Sequence, residues 1–588
     1  MVMSTHRDAM HVARNKRSYV TKSGEERVYE SVLLRRTFRE GGKVRHETLA
    51  NLKALPDAAV AAIEATLKGD TLVPAGQAVT IERSLPHGHV AAVWAQATAL
   101  GLPGMVGPAG RMRDVAMALI TARAVAPASK LATAAWFADT TLGADLDLAD
   151  IETDEIYAAM DWLLARQDRI EKRLATTHLN PEVNPKRIAM FDLSSSWMTG
   201  RHCELAARGY SRDGKKGCEQ IEYGLLTDPV GRPVAVRVFP GNTADPTAFT
   251  HAVTAVRETF GLSGMLMVGD RGMITNARIT ALKELGGIGW LTALRAPQIA
   301  ALAADNGPLQ MSLFDEQNFA EITHPDYPGE RLICCRNPAL AAERARKRNE
   351  LLDATDTALG AIVDAVAAGR LTDAGKIGIR VGKVVGKHKM GKHFQITITE
   401  GSITVARDED HIAAEAALDG IYTLRTTATT EVLDTTAVIE TYKNLAHVER
   451  DFRSLKAIDI DLRPIHHRLD DRVRAHVLIC MLAGYLTWHL RHAWAPLTYT
   501  DEHPPHRDDP VAPAHRSAAA TEKAARKTTD GGLPVRSYQG LLTHLATLTR
   551  NDLRYTDTSP TVATLTVPTD TQRHAFDLLN TPIPVTLT

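Results

Sequence analysis

The spacing of apolar residues changes several times along the chain, and each change predicts a different kind of structure. Within residues 1–84, VYESVLLRRTFREGGKVRHETLANL has apolar clusters on both sides of REGGK, which predicts a β-hairpin with a Gly-Gly turn. Residues 85–180 are rich in Ala with helical spacing and end at an Asn-Pro break. We therefore predict a small N-terminal domain over 1–84 and a helical region over 85–180.

Residues 185–296 follow a shorter period, with apolar runs bounded by turn residues. RIAMFDLSSSW is the first run, and IEYGLLTDPVGRPVAVRVFPGN contains two more joined by a turn-rich connection. A helical stretch, the apolar run GMLMVGDRG, a second helical stretch and the run IGWLTAL follow. The order strand, strand, strand, helix, strand, helix, strand is that of an RNase H-like α/β core, a mixed sheet with flanking helices.

After this block the alternating order is lost for more than a hundred residues. A charged helical stretch and the Gly-rich run KIGIRVGKVVGKHKMGKHFQITITEGSITVARD, typical of β-hairpins, predict a mostly β insertion domain over 297–435. The core resumes over 436–495 with helical spacing. A linker over 496–535 that is rich in Pro, His and Asp, and therefore expected to be mobile, precedes a tail over 536–588. One more helix is predicted in the tail, at YQGLLTHLATLTR.

Composition limits the classes of protein to which the chain can belong. A length of 588 residues predicts several domains, and a formal net charge of zero means that nucleic-acid binding requires local basic surfaces. One is predicted in the N-terminal domain, whose first 53 residues hold twelve Lys or Arg against six Asp or Glu. The cysteines form no CxxC pair, which fits a reducing cytoplasm. The apolar run VLICMLAGYLTWHL is shorter than the roughly 20 residues of a membrane span, so we expect a core helix and no membrane partner.

Two aspartates stand where predicted core strands end. Asp192 follows the first strand and Asp270 follows the fourth, and these two strands are neighbours in a sheet of this order. A helix cap or a turn explains either residue alone. Together they predict two carboxylates that emerge side by side.

The stretch TYKNLAHVERDFRSLK predicts a helix that gathers an acid, two bases and a phenol. Steps of seven, four and three residues keep Tyr442, Glu449, Arg453 and Lys456 within about 60° around that helix. The i, i+4 pair of Glu449 and Arg453 is equally typical of a solvated helix face. If the helix packs beside the two aspartates, three carboxylates converge. Oxygen ligands of this kind favour Mg²⁺ or Mn²⁺, and a pair of such ions supports in-line displacement at phosphorus.

Taken together, these blocks resemble bacterial insertion-sequence transposases of the DDE type. The group in question has a Tyr-x2-Arg-x3-Glu-x6-Lys (YREK) signature and an RNase H-like core interrupted by a β insertion before the Glu. Tyr442, Glu449 and Lys456 match the signature, and FDLSSSW, GYSRDGKKGCEQIEYGLLTDPVGRPVAVRVFPGNTAD and GDRGMIT are similar to the other blocks. The resemblance covers about residues 185–480.

The resemblance implies the roles of several residues. Those implied to be catalytic and to bind two Mg²⁺ or Mn²⁺ ions are Asp192, Asp270 and Glu449. Tyr442 and Lys456 are implied to contact DNA near the cleaved end. Leu445 replaces the Arg of the signature. Our hypothesis is that Arg453, one turn after the Glu, takes the role of that Arg.

Other basic residues are candidates for DNA contact. Arg271 follows the second aspartate, where a structural ion pair is an equal alternative. Arg463 and Arg468 lie in RPIHHRLDDRVRAH, which predicts either a DNA-facing basic helix start or a solvated charged face. The lysines of GKVVGKHKMGKHF, predicted on a hairpin, are candidates for contacts with the DNA backbone, and the run has no Walker pattern.

The sequence therefore predicts a DNA transposase of the bacterial cytoplasm. It is expected to bind the inverted-repeat ends of its insertion sequence, to hydrolyse the phosphodiester there with a divalent metal, and to join the freed 3′-OH to target DNA. Pairing of two ends requires a homodimer. The alternatives are a metal-dependent nuclease that cuts without joining and a transposase-derived DNA-binding protein without chemistry.

Overall fold

A computed structural model describes residues 9–70, 72, 79–199, 202–215, 217–304, 307–503, 507–555 and 560–587, without the side chains of residues 9, 245 and 246. The chain forms two compact units, Met1–Ser84 with Asn551–Thr564 and Leu85–Arg550 with Leu565–Thr588. Parts of the predicted N-terminal domain, linker and tail fall outside the described residues.

The first unit contains a three-stranded antiparallel sheet covered by one helix. Its elements are β1 (Ala9–Val20), β2 (Glu26–Glu40), β3 (Lys43–Asn51) and α1 (Asp57–Lys68). The predicted hairpin is confirmed, because β2 and β3 pair around Gly41 and Gly42, both at positive φ. Val32, Leu52 and Val60 form its small core. The next strand in the chain is β4 (Val79–Pro86).

The second unit begins with the helices that the Ala-rich spacing predicts. They are α2 (Gly88–Ala99), α3 (Leu102–Val106), α4 (Arg111–Val125), α5 (Lys130–Ala138), α6 (Thr141–Asp145), α7 (Thr153–Leu164) and α8 (Gln167–His178). All residues of α4 from Val115 to Val125 are buried. A helix buried on every side needs small side chains so that its neighbours can approach, which explains the density of Ala here.

An eight-stranded mixed sheet forms the centre of the second unit. Its first elements are β5 (Ile188–Trp197), β6 (Gln220–Thr227), β7 (Pro233–Pro240), α9 (Asp245–Thr254), β8 (Met265–Val268), α10 (Asn276–Leu285) and β9 (Ile288–Ala293). This is the predicted order, and β5 pairs in parallel with β8 as expected. One detail of the prediction is wrong, because β5 continues past Asp192 to Trp197 along β6.

The segment after β9 differs from the predicted mostly β insertion domain. It comprises α11 (Ala296–Leu302), β10 (Phe319–Ile322), β11 (Arg331–Arg336), α12 (Pro338–Ala367), α13 (Ala374–His388), β12 (Phe394–Thr399), β13 (Ser402–Arg407), α14 (Glu409–Ala416) and β14 (Ile421–Thr426). Three of these strands extend the main sheet, whose order is β10-β11-β14-β9-β8-β5-β6-β7. The chain leaves the main sheet at the end of β11 and returns to it at the start of β14. The residues at these two points, Arg336 and Ile421, are register partners in the antiparallel pair.

The Gly-rich run predicted as hairpins contains a helix, α13, followed by a single hairpin of β12 and β13. Ile377 and Val381 are buried one turn apart, and the Asp373 side chain accepts a hydrogen bond from the Lys376 backbone N–H at 2.7 Å. The i, i+4 burial and the N-cap outweigh the low helix propensity of the glycines. The described part of this segment is therefore mainly helical.

The helix predicted over 441–456 is present but broken into pieces. They are α15 (Thr435–Lys443), α16 (Leu445–Arg453) and a π-helical turn, Ser454–Ile458. The next helix, α17 (Asp470–Ala493), is long and apolar enough to cross a membrane, but 78% of its most apolar 18-residue window is buried inside the protein. This burial is what the prediction of a core helix requires.

The described residues of the predicted linker include a helix that its composition did not predict, whereas the mobility of the linker stays a prediction. The linker contains α18 (Ala518–Arg526), capped by Ser517, and a buried residue, Val511. Lys523 donates to the Ala495 carbonyl oxygen at 2.8 Å and to Glu502 at 2.7 Å. The capped Ala-rich run favours a helix even within a Pro-rich surrounding. The tail contains the predicted helix and three further elements: α19 (Tyr538–Ala546), β15 (Thr549–Tyr555), β16 (Val562–Leu565) and α20 (Asp570–Asp577), with the strand order β16-β15-β4.

Candidate active site

The three predicted acids line one cavity at the centre of the main sheet. Its volume is about 350 Å³, and the residues that line it are Asp192, Asp270, Asn337, Tyr422, Tyr442, Lys443, Leu445, Ala446 and Glu449. The two aspartates reach it because Met190 and Val268 are register partners in β5 and β8, and each Asp lies two residues further on. A step of two residues keeps a side chain on the same side of a strand. Helix α16 packs against β5, and this packing brings Glu449 to the same cavity.

Asp192 is an acid in an unfavourable setting for a charge. The pKa of its carboxyl group is raised to about 7, mainly by burial and also by the negative charges of Asp270 and Glu449. A hydrogen bond from the Leu193 backbone N–H at 2.8 Å and the positive charge of Arg212 oppose the rise. A carboxyl group in this setting favours protonation, or a cation that replaces the proton.

Asp270 has a structural contact as well as a place in the cavity. Its Oδ1 accepts hydrogen bonds from the backbone N–H groups of Gly272 at 2.9 Å and Met273 at 2.8 Å. The turn-forming role weighed from the sequence is therefore present together with the cavity position. These bonds fix the carboxylate where the chain leaves β8.

Glu449 is held by the amphipathic packing of α16. Val448 and Phe452 are buried on one side of the helix, and the Phe452 ring meets Tyr223 of β6 edge-on at 5.6 Å between ring centres. Glu449 itself is exposed and lines the cavity. Helix α16 therefore packs its apolar side against the sheet, and the Glu449 carboxylate lies at the wall of the cavity.

The donor set fits a hard divalent cation, because three carboxylates share one cavity and one of them resists ionisation without a counter-charge. Their spacing is wider than a metal site requires. Within the described ranges, no group of three His, Cys, Asp or Glu side chains is close enough together to hold a metal ion.

Residues 192–486 match the family model of the transposase DDE domain, a match that begins at the first acid of the cavity. This chain belongs to the DDE transposases. Residues 17–74 match the N-terminal domain of IS1634 family transposases, so it is an insertion-sequence transposase. No curated protein matches the chain. A solved structure described as a piggyBac transposase synaptic complex with hairpin DNA aligns with 7% identity and a TM-score of 0.34 over 78% of this chain and 76% of that chain, a likeness too distant to bear on function.

Tyr442 lines the acid cavity of the transposase. Burial raises the pKa of its phenol to about 12, and Asp270 adds to this, while Arg271 acts against it. At physiological pH the phenol is therefore neutral and can donate its O–H. Tyr442 and Tyr422 also border a second, larger cavity of about 1020 Å³. Cationic side chains of that cavity are Arg271, Arg344, Lys347, Arg348, Lys389 and Lys392. Two acids also line it, and Asp419 pairs with Arg348 while Glu415 pairs with Lys392, so the cations outnumber the acids by six to two.

Lys456 and Arg463 do not reach the acid cavity of the transposase. Lys456 Nζ and Arg463 Nη1 each lie 2.7 Å from Oδ1 of Asp213, a carboxylate that is 1% exposed. The Trp197 backbone N–H also donates to this Asp at 3.4 Å. Sequence reasoning missed Asp213, since one acid within GYSRDGKKG gives no sign that it pairs with two distant cations.

The remaining predicted DNA contacts lie outside the acid cavity. Arg453 and Arg468 are exposed, and neither lines it, while Arg271 borders the larger cavity. Sequence reasoning also missed Lys443, whose Nζ donates to the Ala512 carbonyl oxygen at 2.8 Å. Burial lowers the pKa of this ammonium to about 8, and the charge of Arg507 contributes. The position of Lys443 next to Tyr442 in the sequence could have indicated a place in the cavity. The break between α15 and α16, which brings both side chains to the cavity, could not be predicted from the sequence.

We expect Asp192→Asn to stabilise the metal-free transposase at pH 8. The folded carboxyl holds its proton up to about pH 7, whereas the unfolded one loses it near pH 4, so the free energy of unfolding falls as pH rises between these values. The amide removes this penalty, which the difference between the two pKa values puts at up to about 4 kcal/mol. Urea unfolding in EDTA at pH 8 and pH 5 measures it. The gain should be smaller at pH 5, and an equal gain at both pH values would contradict the assignment.

Proposed function

We propose that this transposase binds the inverted-repeat ends of its own insertion sequence, cleaves the phosphodiester bond there and joins the 3′-OH ends to target DNA. The observation that carries the proposal is the meeting of Asp192, Asp270 and Glu449 in one cavity, although they lie far apart in the chain. Membership of the DDE transposases supports the same roles for these residues. We further propose that β5–β9 and the helices beside them are an RNase H-like core, supported by the strand order β9-β8-β5-β6-β7.

The acid cavity is suited to hydrolysis and transesterification at phosphorus. Asp192, Asp270 and Glu449 would hold two Mg²⁺ or Mn²⁺ ions once the three carboxylates draw closer together than they lie in this structure. When bound, such ions activate the attacking oxygen and stabilise the leaving one. Around them, Tyr442 can donate its neutral O–H and Lys443 its charge to phosphate oxygens beside the scissile bond.

The cationic border of the larger cavity supports a path for the DNA next to the cleaved bond. This cavity and the acid cavity share Tyr422 and Tyr442, so a strand that leaves one can enter the other. Arg271 lies on this path, as a DNA contact would. We propose the exposed Arg468 as a more peripheral contact, and Lys456 and Arg463 as residues that act through their ion pairs with Asp213.

Lys443 is a better replacement for the missing signature Arg than Arg453, because it lines the cavity beside Leu445. We expect Lys443→Gln to slow end cleavage about 10- to 100-fold at pH 7, the effect of one charged hydrogen bond of roughly 1.5–3 kcal/mol. Because the pKa of Lys443 is about 8, the contribution of its charge should fade as pH rises above that value. Arg453→Ala, the matched control, should cleave at the wild-type rate. The reverse ranking of the two variants would restore the hypothesis for Arg453.

A strand-transfer assay with DNA that carries the element ends and Mg²⁺ tests the whole proposal. Joined products are expected. Nicks without joining would favour the nuclease, and a shifted but uncut band would favour the DNA-binding protein.

We propose a homodimer in the complex with paired ends, which light scattering with bound end DNA would detect. A bacterial cytoplasmic location is also proposed, and the five cysteines, all free thiols, are compatible with it.

A further inference from the structure

Helix α13 presents a row of cations that the proposed cleavage chemistry does not use. Lys376, Arg380, Lys383 and Lys387 are spaced by four, three and four residues, which places them within about 60° of one another around the helix. All four are exposed, and none has a hydrogen bond or ion pair through its side chain to another described residue. The sequence of α13 contains no Asp or Glu. We call these four residues the basic stripe.

A second stripe on α13 consists of glycines without a role inside the protein. Gly378, Gly382 and Gly386 lie along the helix about 130° around it from the basic stripe, with Ile379 between the two rows. A Cβ atom added to any of the three glycines would meet no atom within 4 Å. Their backbone is helical, so no left-handed conformation requires glycine. Each costs about 0.5–1 kcal/mol of helix stability relative to Ala. We call them the glycine stripe.

The opposite side of α13 fixes which face is available to a partner. Ile377 and Val381 are buried in a small core with Leu352 and Leu359 of α12. Both stripes therefore face away from the protein. Glycines leave the helix backbone open to close approach, while the long cationic side chains of the basic stripe reach around an approaching surface.

We propose that the basic and glycine stripes of α13 dock against the phosphate backbone of duplex DNA. The proposal rests on the proposed function, and charge complementarity selects this partner. The basic stripe is about 16 Å long at 1.5 Å per residue, enough to face several phosphates of a strand that carries one charge per roughly 3.4 Å. A membrane surface fits less well, because Ile379 is the one large apolar side chain of α13 that is strongly exposed, and interfacial helices need a broader apolar face.

The charge part is tested by binding of the full-length protein to a fluorescent 30-bp duplex of random sequence at several salt concentrations. Lys383→Gln with Lys387→Gln should weaken binding about tenfold and lower the slope of log affinity against log salt by nearly 2, at about 0.9 per lost phosphate contact. The matched control is Arg346→Gln with Arg407→Gln, which removes the same charge from residues already paired with Glu343, Glu350, Asp353 and Asp356. It should bind within twofold of wild type. Equal losses in the two pairs, or no loss in either, overturn the proposal.

The role of the glycine stripe is tested by adding side-chain volume at these positions without changing the charge. Gly382→Leu with Gly386→Leu should weaken binding about tenfold, whereas thermal unfolding should show no loss of stability, since both sites are open and Leu favours a helix. Wild-type affinity in this variant overturns the docking of DNA across both stripes. A wild-type protein that binds duplex but never cleaves refutes the proposed function alone, and one that binds no duplex overturns both proposals.

Discussion

Glu449→Gln should severely slow cleavage of the element ends while leaving DNA binding intact. The amide keeps the size of the side chain but removes the charge that would hold a divalent cation opposite Asp192 and Asp270 in the shared cavity. We expect the cleavage rate to fall by about 10²- to 10³-fold, the scale found when one preorganised electrostatic group at a reacting centre is lost. The measurement is single-turnover cleavage of labelled end DNA in Mg²⁺, with binding followed separately in EDTA.

The control for this loss is Glu440→Gln, an acid on α15 that does not line the cavity. It should cleave at the wild-type rate. Exposed Glu449 has no role in the packing of α16, so its substitution should leave thermal unfolding unchanged. A Glu449→Gln protein that still cuts within tenfold of wild type would remove this residue from the catalytic group.

Asp213→Ala should produce the largest loss of stability among the polar substitutions considered. It leaves Lys456, 9% exposed, and the partly buried Arg463 without the carboxylate that each contacts at 2.7 Å. Removal of one partner from a buried ion pair costs about 3–5 kcal/mol, because an uncompensated charge remains in the interior. Urea unfolding at pH 7 gives the value, and we expect the lower end, since Arg463 can turn toward solvent.

Two further variants show whether the loss arises from the stranded cations. Asp213→Ala combined with Lys456→Met should be more stable than Asp213→Ala alone, because the buried ammonium is gone. Asp168→Ala removes an ion pair with Arg237 whose acid is 76% exposed, and should cost less than about 1 kcal/mol. If Asp213→Ala unfolds at the same urea concentration as Asp168→Ala, the ion pairs of Asp213 contribute little.

Local spacing predicted the order of strands in the main sheet and the meeting of the three acids because each signal was complete within a short segment. The runs that end at Asp192 and Asp270 are apolar and bounded by turn residues, and parallel neighbours in a sheet bring such acids together. The helix that carries Glu449 shows its apolar side in Val448 and Phe452, which are the two residues that are buried. These features require no knowledge of distant contacts.

The errors have a common cause, namely long-range contacts that decide between local alternatives. The resemblance implied that Lys456 contacts DNA, but nothing in the sequence indicated its ion pair with Asp213, which lies more than two hundred residues earlier. In α13 the glycines suggested turns, whereas burial of Ile377 and Val381 against α12 selects the helix. The composition around Lys523 did not predict a helix, yet Lys523 lies on α18 and donates hydrogen bonds to Ala495 and Glu502.

The paired residues Arg336 and Ile421 have a consequence for how this enzyme varies in evolution. The chain departs from the sheet after β11 and returns to it at the facing position of β14, so everything between is topologically the loop of a β-hairpin. That loop has a separate apolar centre, which includes Leu352, Ile377 and Phe394. Lengthening, shortening or exchanging it leaves every strand neighbour unchanged. The exposed surface of this loop can therefore vary while the pairing of the main sheet stays the same.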